Sequence, residues 1–212
     1  MKPLHKGLLG LAVLVLLGIV AAAAVSFGQR QPDRDALLEA GIVLLPQPRE
    51  IPEAAMVDLN GQPFDLAKPD PRWTLVFFGY TFCPDICPTT LAELKQIVGQ
   101  LPAETARQLR VLMVTVDPAR DSPARLQEYL AYFDPAFLGV TGEMSEIQSL
   151  SNALGIPFVP GDTRREHYTV DHSGNLAVVG PDGRLHGFVR APLKVPALVE
   201  HLPTLVAGPP AR

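Results

Sequence analysis

The chain has 212 residues, enough for one sizeable domain with appendages, and carries a net charge of −4 with a pI near 5.7. That balance excludes the basic footprint of a nucleic-acid binder. An apolar content of 47% excludes a disordered chain despite 22 prolines and 17 glycines, and 2 cysteines are too few for a disulfide scaffold.

Met1 to Lys6 is a short basic start, and residues 7–25 form an uninterrupted apolar run close to the length that spans a bilayer. A cleaved signal peptide competes, because Ala21 to Ala24 offers small-residue cleavage sites. Signal-peptide cores usually run about 7–15 residues, so the longer run favours a retained transmembrane anchor. Either reading puts the rest of the chain across the membrane, since the positive residues fall mostly N-terminal to the run. No organellar transit peptide precedes the run. The expectation is therefore a single-pass protein of the bacterial inner membrane with its C-terminal domain in the periplasm.

Residues 26–39 are polar and charged and read as a tether, with the folded domain expected over 40–206 and a tail over 207–212. Leu44 to Pro52 is proline-punctuated and extended, and is expected to wrap onto the domain. Asn60-Gly61 between apolar positions predicts a hairpin over Met56–Phe64. Thr74 to Gly79 is a β-branched and aromatic run, the pattern of a buried strand. Leu91, Leu94, Val98 and Leu101 mark the core face of the helix that follows. Arg110 to Val116 predicts a second buried strand. Ser122 is the expected N-cap of the next helix, with Pro123 at its first position and Leu126, Tyr129, Leu130 and Phe133 on its buried face.

Phe137 to Val140 predicts a third strand, and Ile147, Leu150 and Leu154 a third helix ended by Gly155 and Pro157. After a loop from Ile156 to Arg165 come three extended segments, Tyr168–Ser173, Asn175–Val179 and Arg184–Val189. Gly180-Pro181-Asp182-Gly183 predicts a tight turn between the last two. Val195, Leu198, Val199 and Leu202 mark a closing helix. Alternating strands and helices predict an α/β fold, a mostly parallel central sheet flanked by helices with an N-terminal and a C-terminal hairpin.

Both cysteines, Cys83 and Cys87, lie where the first long strand hands over to its helix, which is the thioredoxin-like arrangement with one extra residue between the thiols. Close spacing within one motif points to redox or metal work rather than an inert staple. If the helix begins near Pro84, the two side chains share one face of its first turn, about 5–6 Å apart at Cβ. From there they reach either a disulfide after modest adjustment or one soft metal ion. A helix N-terminus favours the thiolate in both cases.

Gly79 to Leu91, containing Cys83-Pro84-Asp85-Ile86-Cys87-Pro88, resembles the signature of the Sco/SenC family of copper chaperones. Val116 to Pro123 and Tyr168 to Ser173 resemble its second and third motifs, and the anchor and the Leu-Pro-x-Pro-Arg lead-in agree. The likeness covers roughly residues 40–205. It implies a thioredoxin-like fold that binds one copper ion through two cysteines and a histidine, which by motif are Cys83, Cys87 and His172. It also implies a role in assembling the dinuclear copper site of cytochrome c oxidase. The implied partners are that oxidase subunit, other periplasmic copper chaperones and thioredoxin-like reductants.

Two thiolates and an imidazole suit copper in either oxidation state, although zinc accepts the same set. His167 is the alternative to His172, while His5, His186 and His201 lie away from the motif. Asp171 is either a turn residue or a group that orients a ligand. Asp117 and Asp121 are expected to hold the turn beside the site, and Met56, Met113 and Met144 to pack rather than ligate. Against the chaperone stands a thiol-disulfide oxidoreductase acting on the oxidase subunit's cysteines, for which Cys83 and Cys87 suffice. A redox or copper sensor is the third reading.

Overall fold

The computed structural model describes residues 34–207. Two short elements lead in: α1 (Arg34–Glu39) and β1 (Ile42–Arg49). They are followed by β2 (Met56–Asp58), β3 (Pro63–Phe64), β4 (Trp73–Gly79), α2 (Ile86–Gln100), α3 (Ala103–Arg107) and β5 (Leu109–Thr115). Then come α4 (Pro123–Phe133), β6 (Leu138–Gly142), α5 (Met144–Ala153), β7 (Leu176–Val179), β8 (Leu185–Val189) and α6 (Val195–Ala207).

The strands form one sheet in the order β1-β8-β7-β4-β5-β6-β2-β3. Its centre is parallel, β4 with β5 and β5 with β6, and antiparallel strands extend it on both sides. This is the thioredoxin-like central sheet expected, but it is mixed rather than mostly parallel, because β1, β2, β3, β7 and β8 all join it antiparallel. Every residue of β4 is buried, so both faces of that strand are covered, as a near-continuous apolar run requires. Phe77 and Phe78 are fully buried on it, each worth roughly 1.5–3 kcal/mol of transfer free energy.

Local signals hold where chemistry is local. The Asn60-Gly61 hairpin forms, with Gly61 at φ 72° and Asp58 accepting from the N–H groups of Asn60 and Gln62. Ser122 caps α4, its hydroxyl accepting from the Arg125 N–H at 3.2 Å. The β7–β8 turn closes through the Gly183 N–H on the Gly180 carbonyl, with Gly183 at φ 73°. Met56 and Met113 are buried and Met144 packs against the core, as expected of packing residues.

Four further expectations are corrected. Residues 34–39 form a helix rather than tether, because Leu37 is buried against the domain. The proline-rich lead-in becomes β1, an edge strand paired with β8, where prolines cost least. Tyr168–Ser173 contributes no strand, only a single bridge between Val159 and Asp171. Helix α2 begins at Ile86 rather than near Pro84, and Ile97 joins Leu91 and Leu94 among its fully buried positions, with Val98 only partly buried and Leu101 at the C-cap.

Among the described residues no helix is long and apolar enough to cross a membrane. The expected anchor over 7–25 lies outside the described residues.

Candidate metal centre

Strand β4 ends at Gly79, and a turn closed by the Cys83 N–H on the Tyr80 carbonyl carries the chain to α2. Cys83 lies in this turn and Cys87 in the first turn of the helix. The Asp85 side chain, at the N-cap position, makes no capping bond. A sulfur takes that role instead: Cys83 Sγ accepts from the Cys87 N–H at 3.4 Å. An otherwise unpaired helix-terminal donor is thereby satisfied.

Cys87 Sγ in turn accepts from the Tyr80 N–H at 3.4 Å. A Cβ on Gly79 would lie 2.8 Å from this sulfur, so glycine is needed here for room. The third group arrives from far along the chain. His172 stands in the segment before β7, and its Nε2 is 3.4 Å from Cys87 Sγ. Its Nδ1 faces the Ser173 carbonyl at 3.3 Å. A proton on Nδ1 donates to that carbonyl and leaves the Nε2 lone pair turned to the sulfurs. The Phe77 and Tyr80 rings meet the imidazole in T-shaped contacts, with centroids 6.0 and 5.5 Å away.

The two sulfurs and the imidazole nitrogen all lie within 4.8 Å of one another. No disulfide joins the cysteines. Bonds of about 2.0–2.3 Å from thiolate and imidazole to a metal ion put neighbouring donors roughly 3.5–4 Å apart, so small side-chain shifts suffice for all three to share one ion. His167 is exposed and outside this group. His186 is buried elsewhere, with its Nε2 2.8 Å from Asp182 and its ring against Trp73. Asp171 is exposed, and the His172 ring meets Ser173 and Cys87 rather than its carboxylate.

The two thiols differ in acidity. Hydrogen bonding from Cys87, more than any other contact, holds the Cys83 thiol well below the usual range, and His172 acts in the same direction. Burial pushes the Cys87 thiol up. Cys83 is 9% exposed and Cys87 fully buried. The first proton to leave the pair therefore comes from Cys83.

Around the thiols runs a polar framework built on Asp117 and Asp121, the two residues expected to hold the turn beside the site. The fully buried Asp121 accepts from the Thr81 N–H at 3.0 Å, the Thr81 hydroxyl at 2.6 Å and the Thr115 hydroxyl at 2.7 Å. It ties the cysteine turn to the end of β5. Asp117 pairs with Arg120 and accepts from the Tyr168 hydroxyl at 2.6 Å. What the sequence did not show is which groups these aspartates bind, Thr81, Thr115 and Tyr168, because they lie elsewhere along the chain.

With this geometry in view, the comparison with known proteins is decisive. Residues 47–207 match the SCO1/SenC family model. The chain belongs to that family. A Stutzerimonas stutzeri protein whose assigned name proposes copper binding is 50% identical over 189 residues, 89% of this chain and 93% of that one. The crystal structure of yeast Sco1 with copper bound superposes with a TM-score of 0.65 at 30% identity, covering 74% of this chain and 90% of that one. BsSco, described as a member of the Sco family of cytochrome c oxidase assembly proteins, shares the fold at 20% identity with a TM-score of 0.60. That likeness covers 78% of this chain and 98% of BsSco.

Proposed function

We propose that this chain is a membrane-anchored copper carrier that delivers copper to, or prepares, the dinuclear copper site of cytochrome c oxidase. The observation that carries the reading is the convergence of Cys83 Sγ, Cys87 Sγ and His172 Nε2 within 4.8 Å at a helix start. Two sulfurs and one nitrogen form a soft set that selects copper over the hard divalent ions. The copper bound in yeast Sco1 supports the choice of metal. Copper is cargo here, and the protein must both hold it and surrender it. Cys83, at the solvent side of the pair, is the ligand an acceptor's thiols reach first. On the sequence alone, the apolar run at 7–25 would keep the domain at the bacterial inner membrane on its periplasmic side, near such an acceptor.

The test is copper(I) stoichiometry of the reduced protein, with Cys83→Ala, Cys87→Ala and His172→Ala alongside. One ion per reduced chain, and none on the disulfide form, is the expected result, because a disulfide offers no thiolate. Equal binding by oxidised and reduced protein would remove the cysteines from the site. For topology, protease added to spheroplasts should digest the domain and leave a membrane-bound stub.

The unequal thiols favour a second reading, reduction of the oxidase subunit's own disulfide. In that reaction the Cys83 thiolate attacks one sulfur of the target and forms a mixed disulfide. Cys87 then displaces the target thiolate and closes the Cys83–Cys87 disulfide, so two electrons pass to the target. His172 separates the two readings. In cells lacking the native protein, His172→Ala at wild-type abundance should fail to restore oxidase activity when copper is scarce. Full rescue, with both cysteine variants inactive, would favour the reductase.

A further inference from the structure

The segment that delivers His172 has little support of its own. From Gly155 to Asn175 the backbone forms no strand, and its one bridge, Val159 with Asp171, pairs two residues of the segment itself. A histidine presented from such a stretch needs other restraints to hold its nitrogen near two buried sulfurs. The Val170 N–H donates to the Tyr80 hydroxyl at 3.3 Å, and three further residues restrain the segment. Tyr168 donates its hydroxyl to Asp117 at 2.6 Å. Arg120 pairs with the other oxygen of the same carboxylate and donates through Nη2 to the Tyr168 carbonyl at 3.1 Å.

The Arg120 guanidinium also lies over the Tyr168 ring, 3.6 Å from its centroid, and reaches the Phe82 ring at 4.8 Å. Phe82 precedes Cys83, and Tyr168 stands four positions before His172. One planar cation thus touches both chain segments that bring ligands to the site. Lysine has neither the flat face nor the rigid fork of donors to do this. Burial and the Asp117 bond push the Tyr168 phenol up to about 12, so it keeps its proton and remains the donor.

We propose that Asp117, Arg120 and Tyr168 form a clasp that holds the His172 segment against the cysteine turn. They are positioning residues for the third ligand. The copper side of this inference rests on the function proposed above; the mechanical side does not. Opening the clasp frees His172 to leave while both sulfurs stay in place, which gives a carrier a state of weaker grip. A group that orients a metal ligand is commonly worth about 10–100-fold in affinity.

The experiment uses full-length reduced protein carrying Tyr168→Phe or Arg120→Lys. Tyr168→Phe keeps the ring and removes one hydroxyl, so it folds even if the arginine variant does not. Amide hydrogen exchange over 168–172 should quicken in both, with exchange in β4 and β5 unchanged. Copper(I) affinity should fall about 10–100-fold, and the nitrogen signal in the spectrum of the copper(II) form should weaken. In a His172→Ala background, adding Tyr168→Phe should cost nothing more, because the clasp acts through His172. Wild-type exchange over 168–172 in both variants overturns the clasp. So does an affinity loss that adds in full to that of His172→Ala. If the unaltered protein bound no copper, the carrier reading would fall, and the exchange measurement alone would decide the clasp.

Discussion

Asp121 holds Thr81 twice, through its backbone N–H at 3.0 Å and its hydroxyl at 2.6 Å. Those bonds cross forty positions of sequence to set the turn that presents Cys83. Asp121→Ala would leave the Thr81 and Thr115 donors unpaired in a buried place. The expected cost is about 2–4 kcal/mol of stability, measured by denaturant unfolding. Asp121→Asn, which keeps one acceptor oxygen, should fall between the alanine variant and wild type.

Gly79→Ala tests the room left for the second sulfur. The added Cβ would meet the Phe77 ring at 2.6 Å and Cys87 Sγ at 2.8 Å. Overpacking of this kind costs typically about 1–3 kcal/mol. Because a displaced sulfur is part of that cost, copper(I) affinity should fall even under conditions where the variant is fully folded. Unchanged affinity in the folded variant would show that Cys87 can move without consequence.

The two thiols should be alkylated in a fixed order. Cys83 is held below the usual thiol range by its bond from Cys87, so it remains a thiolate as pH falls below neutral. Burial keeps Cys87 protonated and covered. Iodoacetamide labelling followed by peptide mass spectrometry should find Cys83 modified at acidic pH and Cys87 unmodified until well above neutrality. Equal labelling of the two would contradict the geometry of the turn.

Away from the site, Asp70 accepts from Arg72 Nε at 3.0 Å and Arg110 Nη1 at 2.8 Å. Its carboxyl is held below the usual range, mainly by the Arg72 bond. A carboxylate depressed in the folded state adds stability above its unfolded pKa, and that stability is lost as pH falls through the folded value. Asp70→Asn should therefore melt below wild type at neutral pH. The gap should close as both are acidified below about pH 4, which a series of melting curves would show.

Much of this protein is written in short-range patterns. Period and length marked β4, β5 and the main helices, and Asn60-Gly61, Ser122-Pro123 and Gly180 to Gly183 marked their turns, since each depends on neighbours within a few bonds. The cysteine pair at the strand–helix junction was legible for the same reason. Resemblance to a known family, rather than physics, singled out His172 among five histidines. Only the tertiary structure brings its Nε2 to 3.4 Å from a sulfur 85 positions away. Tertiary packing also decided that Leu37 is core and that a proline-rich lead-in is an edge strand. The Thr81–Asp121 bonds and the Arg120 stack on Tyr168 likewise join segments far apart in sequence. Hydrogen bonds and ring contacts of that kind leave no period in a sequence, because their partners meet only after the chain has folded.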